Sequence, residues 1–529
     1  MPYWIDSAQR TKFSSLSHKT TVDVAILGGG IAGISTAFML KKQGLKVAVV
    51  ELNRIVGDVT AGTTAKITKT SSLIYNRIFS KFGREIALKF YRANCDAFDT
   101  IPNIIDGLNI ECDYRSSPLY IYASSEESFH LINDEFAVLN ELGIPAKTVD
   151  DLPYPFSNIH GIMYEDQAEF HPKKYLNRLA NSIHGEGSFI FEKTKAISVE
   201  DVEYSHVDEK NEEEIGLKRV ITDKEDILAN FVVVATNAPI YDPDSVCNFM
   251  FQNKSYVMGV YTRKKQPYGM FVDVNPFHSY RSTPTDKGEM FIVGGEHHHI
   301  GEVKDTWECF KRLNDHIEDI FDSTDIEYFW SNQDNRTEDG FPIIGETSDS
   351  NVFIATGFNS WGMTTGTLAA NVISYLILDK LGKSELMLKS FPELGEYCSI
   401  FDAQRFKGKK SSKDIKKYSN AFNEEHSDDN DNQDELNEEE SKLLSEYLLK
   451  LDYNEAKIVN VGDKSIAIYK DSNSNFYALS SKSTHSGCEL VWNTAEKAWE
   501  CPQFGSRFSY TGRVIHGPAV YDLKSYLKS

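Results

Sequence analysis

The sequence lacks the features that several classes of protein require. It holds no run of about 18 apolar residues to span a bilayer. Its opening, MPYWIDSAQRTKF, has neither the apolar stretch nor the small-residue cleavage site of a secretory signal. Basic charge is in deficit: 56 Lys and Arg stand against 78 Asp and Glu, a net charge of −22. Nucleic acid and anionic membrane surfaces, which call for basic patches, are therefore not expected as partners. Cysteine is sparse, odd in number and scattered, at Cys95, Cys112, Cys247, Cys309, Cys398, Cys488 and Cys501. That spacing builds no disulfide framework and fits a reducing compartment, so a cytoplasmic protein is expected. H-E-x-x-H, a P-loop and a Ser/His/Asp spacing are missing as well.

What remains is an ordinary globular composition, 41% hydrophobic and 25% charged. At 529 residues the chain exceeds a single compact core, and two or three domains are expected. Much of the acidic excess is local: residues 423–440 hold ten Asp or Glu and no Lys or Arg.

Residues 22–51 read VDVAILGGGIAGISTAFMLKKQGLKVAVVE. An apolar strand from Val22 to Leu27 leads into Gly28-x-Gly30-x-x-Gly33. A helix-period run to Leu40 follows, then a second strand, Lys46 to Val50, ending at Glu51. This is a complete dinucleotide fingerprint. Gly28 permits the tight turn, Gly30 lets a pyrophosphate approach a helix N-terminus together with Ile31 and Ala32, and Gly33 lets helix and strand pack closely. Glu51 is placed to accept from the ribose hydroxyls and would repel a 2′-phosphate. This stretch alone leaves NAD and FAD open.

Two further segments bear on that choice. RIVGDVTAGTTAKIT, residues 54–68, is a Gly/Thr-rich loop containing Thr63, Thr64 and Lys66. DGFPIIGETSDSNVFIATGFNSWGMTTGTLAANVISYLI, residues 339–377, supplies a strand Val352–Thr356, then Gly357 and a helix starting near Gly362, Met363 and Thr364. A helix N-terminus there could stabilise negative charge on a reduced flavin. These segments resemble the D-amino-acid-oxidase-like class of FAD-dependent oxidoreductases. FVVVATNAP (231–239) is similar to the strand that returns to the nucleotide domain, and QAEFHPKKYLNRLA (167–180) to the stretch where the chain re-enters it. No second G-x-G-x-x-G follows, so a separate NAD(P)H site is not expected.

The resemblance implies an α/β FAD-binding Rossmann-like domain (1–75, 161–239 and 326–400). An inserted mixed α/β substrate domain (76–160 and 240–325) would cover the flavin ring. It also implies an amine or amino-acid substrate that passes hydride to FAD. Lys66 is the candidate cation beside the flavin pyrimidine ring. Arg281, in HSYRSTP, is either a bidentate partner for a substrate carboxylate or a structural strand arginine. Trp361 is either a core anchor or a substrate wall, with Asn359 beside it. Three successive histidines, His297 to His299, cannot all point one way along a strand and are not expected to share a metal.

Residues 401–440 are expected to be a charged linker, lysines first and acids after. Beyond it, SKLLSEYLLKLDY has helical spacing. KIVNVG, SIAIYK, NFYALS and RFSYTGRV read as short strands of a small all-β domain, 441–529. Within it, STHSGC (483–488) and CPQFGS (501–506) resemble the two loops of a Rieske iron–sulfur domain, C-x-H-x-G-C and C-P-C-H-G-S. The resemblance places His485 and Cys501 at ligand positions, where one iron takes two cysteines and the other two histidines. Ser483 stands for the first ligand cysteine and Phe504 for the second ligand histidine. Gln503 stands where a cysteine usually pairs with the one matched by Cys488. Serine is a reluctant ligand and a phenyl ring offers no lone pair, so a [2Fe–2S] cluster is not expected. Phe504 is expected to fill the vacated space, with Trp492, Trp499, Phe508 and Tyr510 packing around it, and His516 to be structural.

The resulting expectation is an FAD-dependent oxidoreductase acting on a small amine or amino acid, with oxygen or a soluble molecule as electron acceptor. Two other readings stay open: the same enzyme with a working cluster as electron exit, and a flavin-binding regulatory or scaffold protein without turnover.

Overall fold

The protein is described by a computed structural model over all residues except 153–155, 157–158, 203–215, 263–266, 322–323, 413–434 and 528–529. The middle of the charged linker segment therefore lies outside the described residues.

The nucleotide-binding half is built on an eight-stranded sheet. Its parallel core runs in the spatial order Phe189–Phe191, Val47–Val50, Thr20–Leu27, Ile227–Val234 and Val352–Thr356. These strands read as continuous apolar runs because both faces are covered. On one face lie the helices Ile31–Lys42 and Gly362–Lys380, packed so closely that a Cβ on Gly366 would come within 2.6 Å of Ile31 Cγ2. The long helix Arg84–Leu108 lies beside them, where Asn371 Nδ2 donates to Thr100 Oγ1 at 3.1 Å.

A second eight-stranded sheet forms the cap. Its order is Thr324–Thr337, Met250–Thr262, Gly288–His299, Ser279–Thr285, Met270–Asp273, Leu119–Ala123, His160–Tyr164 and Lys147–Val149. The helix Trp307–Phe321 covers its outer face with Cys309, Phe310, Leu313, Ile317 and Phe321, an apolar stripe at helical spacing. The boundary expected at residue 326 falls inside the strand Thr324–Thr337. That strand pairs along the whole of Met250–Thr262, so the cap sheet continues to Thr337.

The linker expected from 401 differs at both ends. Phe401, Ala403 and Phe406 are buried, with the Phe406 ring stacked on Phe249 at 4.4 Å. Asn437 and Glu440 close a capping box on the helix Glu438–Leu449.

The C-terminal module has a three-stranded antiparallel sheet, Ala456–Val461, Lys464–Lys470 and Phe476–Ser480. A four-stranded one follows, Val491–Asn493, Ala498–Glu500, Arg507–Ser509 and Val514–His516. Trp499 and Phe508 are fully buried between them. The module is docked on the rest of the chain. Its Leu490, Trp499, Phe504 and Phe508 share one hydrophobic cluster with Val22, Leu27, Val232 and Ile354 of the nucleotide sheet. A buried charge network ties it to the cap. Lys254 lies 2.8 Å from Glu500 and also contacts Glu496, while Arg507 reaches Glu496 at 2.8 Å and Glu500 at 3.0 Å. Among the described residues no helix is long and apolar enough to cross a membrane.

Candidate active site

A cleft runs from the fingerprint turn to the inner face of the cap sheet. At its nucleotide end Gly28 has φ +109°, and a Cβ there would lie 2.4 Å from the Ala235 carbonyl. Gly30 is the N-cap of the helix Ile31–Lys42, with its peptide open to the cleft beside Thr60. The Thr60 hydroxyl accepts from Ile31 N at 3.1 Å. Gly33 does not line the cleft. It faces Gly28 O, which a Cβ would approach to 1.9 Å, and so sets helix against strand. Glu51 lines the cleft, and its carboxylate accepts from Gly29 N at 2.9 Å and Asn53 N at 2.8 Å. Burial raises its pKa despite those two donors. A pyrophosphate on Gly30 and Ile31 with a ribose on Glu51 fits this end.

Further along, Thr63, Thr64 and Lys66 line one side, and Gly362 and Met363, at the N-terminus of the helix Gly362–Lys380, line the other. Thr364 lies behind the wall. Its hydroxyl accepts from Thr68 N and donates to Thr68 O, both at 3.0 Å, which locks the loop to the helix. Gly357 (φ +69°) also lies behind it, packed on Thr337. Lys66 is buried and donates to Thr64 Oγ1 at 3.1 Å. Burial, reinforced by the charge of Arg281, pulls its ammonium down to about 7. A negative charge arriving next to it would restore the proton.

Arg281 resolves to one of its two expected roles. It is completely buried and does not line the cleft. Its Nη1 donates to Ala65 O at 2.8 Å and Phe170 O at 3.2 Å, and its Nε lies 3.2 Å from Glu169. It holds the backbone that presents Thr64 and Lys66. Asn359 likewise braces the loop, accepting from Thr337 N and donating to Gly340 O and Gly357 O. Trp361 lines the cleft and packs against the main core. Of the three histidines, His297 faces the cleft, His298 contacts the Tyr256 hydroxyl at 3.0 Å, and His299 is exposed.

Several cleft residues carry no local sequence signal. Ser255, Ser279, His297, Asn332 and Asp334 come from four strands of the cap sheet, brought together only by strand pairing. Burial lowers His297 to about 3, leaving it neutral. Burial pushes the Asp334 carboxyl up to about 6, against the pull of Arg336. Arg336 lies two residues on, on the same strand face. Its Nη2 donates to Ser360 Oγ at 3.4 Å, and its buried Nε has no partner. The C-terminal module supplies the remaining wall, from Val514 to Gly517 with Ala519 and Val520. His516 lies in this wall. Its Nδ1 meets the Asp58 carboxylate at the start of the helix Asp58–Gly62, another cleft element.

The Rieske-like loops bring His485, Cys488, Cys501 and Phe504 together. The Phe504 ring stands edge-on to His485 at 5.3 Å between centroids, in the space beside the remaining histidine. The Cys501 sulfur lies 2.7 Å from Cys488 and is buried. Among the described residues no group of three or more His, Cys, Asp or Glu is arranged to hold a metal. The Phe504 ring carries no lone pair to offer a metal.

The fold and cleft define a flavin-dependent oxidoreductase with an added all-β module. Residues 23–376 match the family described as FAD dependent oxidoreductase, and residues 446–527 match the Rieske [2Fe-2S] domain. The chain belongs to the FAD dependent oxidoreductase family, carries a Rieske domain at its C-terminal end, and takes FAD as cofactor. It is 30% identical over 533 residues to YhfW of Bacillus subtilis (strain 168), whose name describes a Rieske 2Fe-2S iron–sulfur protein. That alignment covers 99% of this chain and 96% of YhfW. Among solved structures it resembles glycine oxidase from Geobacillus kaustophilus (TM-score 0.54, 15% identity, 68% of this chain and 95% of that one). It also resembles L-proline dehydrogenase from P. horikoshii (TM-score 0.54, 17% identity, 74% and 98%).

Proposed function

We propose that the protein oxidises a small amino acid at the C–H bond next to nitrogen, passes the electrons on to oxygen or a soluble acceptor, and carries no iron–sulfur cluster. Bound FAD supplies the chemistry by accepting the hydride. The observation that carries the substrate class is the pair Asp334 and Arg336 on one face of the strand Thr324–Thr337. Asp334, once ionised, pairs with the substrate ammonium or takes a proton from it, so that the nitrogen lone pair becomes available. Arg336 lies just behind the cleft lining, and its charge and unpartnered Nε draw a carboxylate toward that end of the cleft. Lys66 and the N-terminus of the helix Gly362–Lys380 offset the negative charge that reduction places on the cofactor.

Gly30 and Ile31 would hold the pyrophosphate, with Glu51 holding the ribose. The module contributes a wall: Val514 to Val520 exclude water from one side of the cleft, and the His516–Asp58 contact fixes that wall to a cofactor-lining helix. Anaerobic mixing with a panel of amino acids and plain amines tests the reading. Bleaching of the bound flavin by amino acids, weaker with the matching decarboxylated amines, is expected. Bleaching by amines alone would remove the role given to Arg336.

A further inference from the structure

The pocket that a Rieske domain uses for metal holds two thiols instead. Cys488 and Cys501 come from the two separate loops, at the turns 483–488 and 501–506, and their sulfurs lie 2.7 Å apart. Non-bonded carbon atoms rest at about 3.5–4.0 Å, and sulfur is larger, so this separation is closer than a comfortable contact. The covalent bond length is about 2.05 Å, a short displacement away. The resemblance to Rieske loops pairs Cys488 with a cysteine at the place of Gln503. In this chain the geometry hands Cys488 a different partner, the residue left over at a ligand position. Both loops are fixed rather than free. Cys501 N donates to Ser506 O at 2.8 Å, Ser483 N to Cys488 O at 2.9 Å, and Phe504 packs on His485. The two sulfurs are thus held in register by the backbone around them.

We propose that Cys488 and Cys501 form a reversible disulfide, a redox site occupying the former cluster pocket. The proposal rests on the reading that no cluster is bound, because a Rieske iron would claim Cys501. A low-molecular-weight disulfide is the oxidant, in two exchange steps. The Cys501 thiolate, favoured by the hydrogen bond from the Cys488 thiol, attacks one sulfur of that disulfide and releases one small thiol. Cys488 then gives up its proton, attacks the Cys501 sulfur and releases the second small thiol. The protein pair loses two electrons and two protons overall, and the small disulfide is reduced to two thiols.

The site also touches the cleft. The loop carrying Cys501 is bound to the cap through Gly505 O, which accepts from Gln333 Nε2 at 2.9 Å. Gln333 lies between Asn332 and Asp334, both cleft residues.

The test treats the full-length holoprotein with cystine, blocks free thiols under denaturing conditions, digests with trypsin and reads the peptides by mass spectrometry. Lys497 separates the two cysteines, so the bond appears as peptide 483–497 joined to peptide 498–507, and dithiothreitol abolishes it. Cys95, Cys112, Cys247, Cys309 and Cys398 should stay blocked as free thiols. Recovery of Cys488 and Cys501 as separate blocked peptides, or joined to other cysteines, overturns the proposal. Iron and acid-labile sulfide on the same sample separate the two failures. Unlinked thiols without iron refute the disulfide alone, and unlinked thiols with stoichiometric iron refute the cluster-free reading beneath it.

Discussion

His516 of the C-terminal module contacts Asp58 at the first turn of the helix Asp58–Gly62, joining the end of the chain to the cofactor cleft near its beginning. Arg507 of the same module lies 3.9 Å from the other Asp58 oxygen. Removing the imidazole should loosen this wall. His516→Ala is expected to weaken FAD binding by about 1 kcal/mol, roughly fivefold in Kd, since Asp58 stays partly exposed and screened. Fluorescence titration of apoprotein with FAD checks this, and an unchanged Kd would detach the module from cofactor retention.

Gly30 has an extended backbone (φ −85°, ψ −168°) that any residue adopts, so Gly30→Val should fold. The added atoms occupy the pyrophosphate side of the turn, with Cβ 2.9 Å from Thr60 Oγ1. Purified variant protein should be colourless, with a near-native circular dichroism spectrum. A yellow variant contradicts the placement of the pyrophosphate. Glu51→Ala should bind FAD more weakly by about 1–3 kcal/mol, because it removes both the ribose acceptor and the acceptor for Gly29 N.

Lys66 titrates near 7 before a negative charge is added beside it. Lys66→Met should lower the flavin midpoint potential while FAD still binds. The gap between wild type and variant should be largest below pH 7, where the ammonium is charged, and should narrow as the pH rises above it. A potentiometric titration giving equal potentials across that range would place Lys66 away from the ring.

Asp334 supplies the acid limb of the rate profile. Its pKa is raised to about 6, so below that pH it is neutral and pairs with no ammonium. For wild type, kcat/KM should rise as pH passes through about 6 and then level off. Asp334→Asn should lose that limb and fall by roughly 10²–10⁴ in kcat/KM, the range of a positioned general base. A variant that keeps the limb would transfer the titration to another group.

How much of this was legible in the sequence depends on how local each feature is. The strand–turn–helix from Val22 to Leu40 and the strand Val352–Thr356 with its helix are encoded within short windows, and the structure forms them at those places. The cap residues of the cleft carry no such window. Asp334 and His297 sit on strands adjacent to Met250–Thr262 only because of long-range pairing, and alternation along a strand does not say which face meets a cofactor. The two options for Arg281 could be separated only by the carbonyls of Ala65 and Phe170, more than a hundred residues away. His516 was legible as a strand residue. Its contact with Asp58 depends on how the module docks, and no motif records that.

The central claim is that a flavoenzyme uses a Rieske-like module as a wall and not as an electron carrier. The most direct measurement is iron, acid-labile sulfide and FAD on one sample made anaerobically with iron supplied, followed by electron paramagnetic resonance after reduction. The account predicts near-stoichiometric FAD, iron and sulfide close to background, and no Rieske-type signal. Iron and sulfide each near twice the FAD, with such a signal, would contradict it.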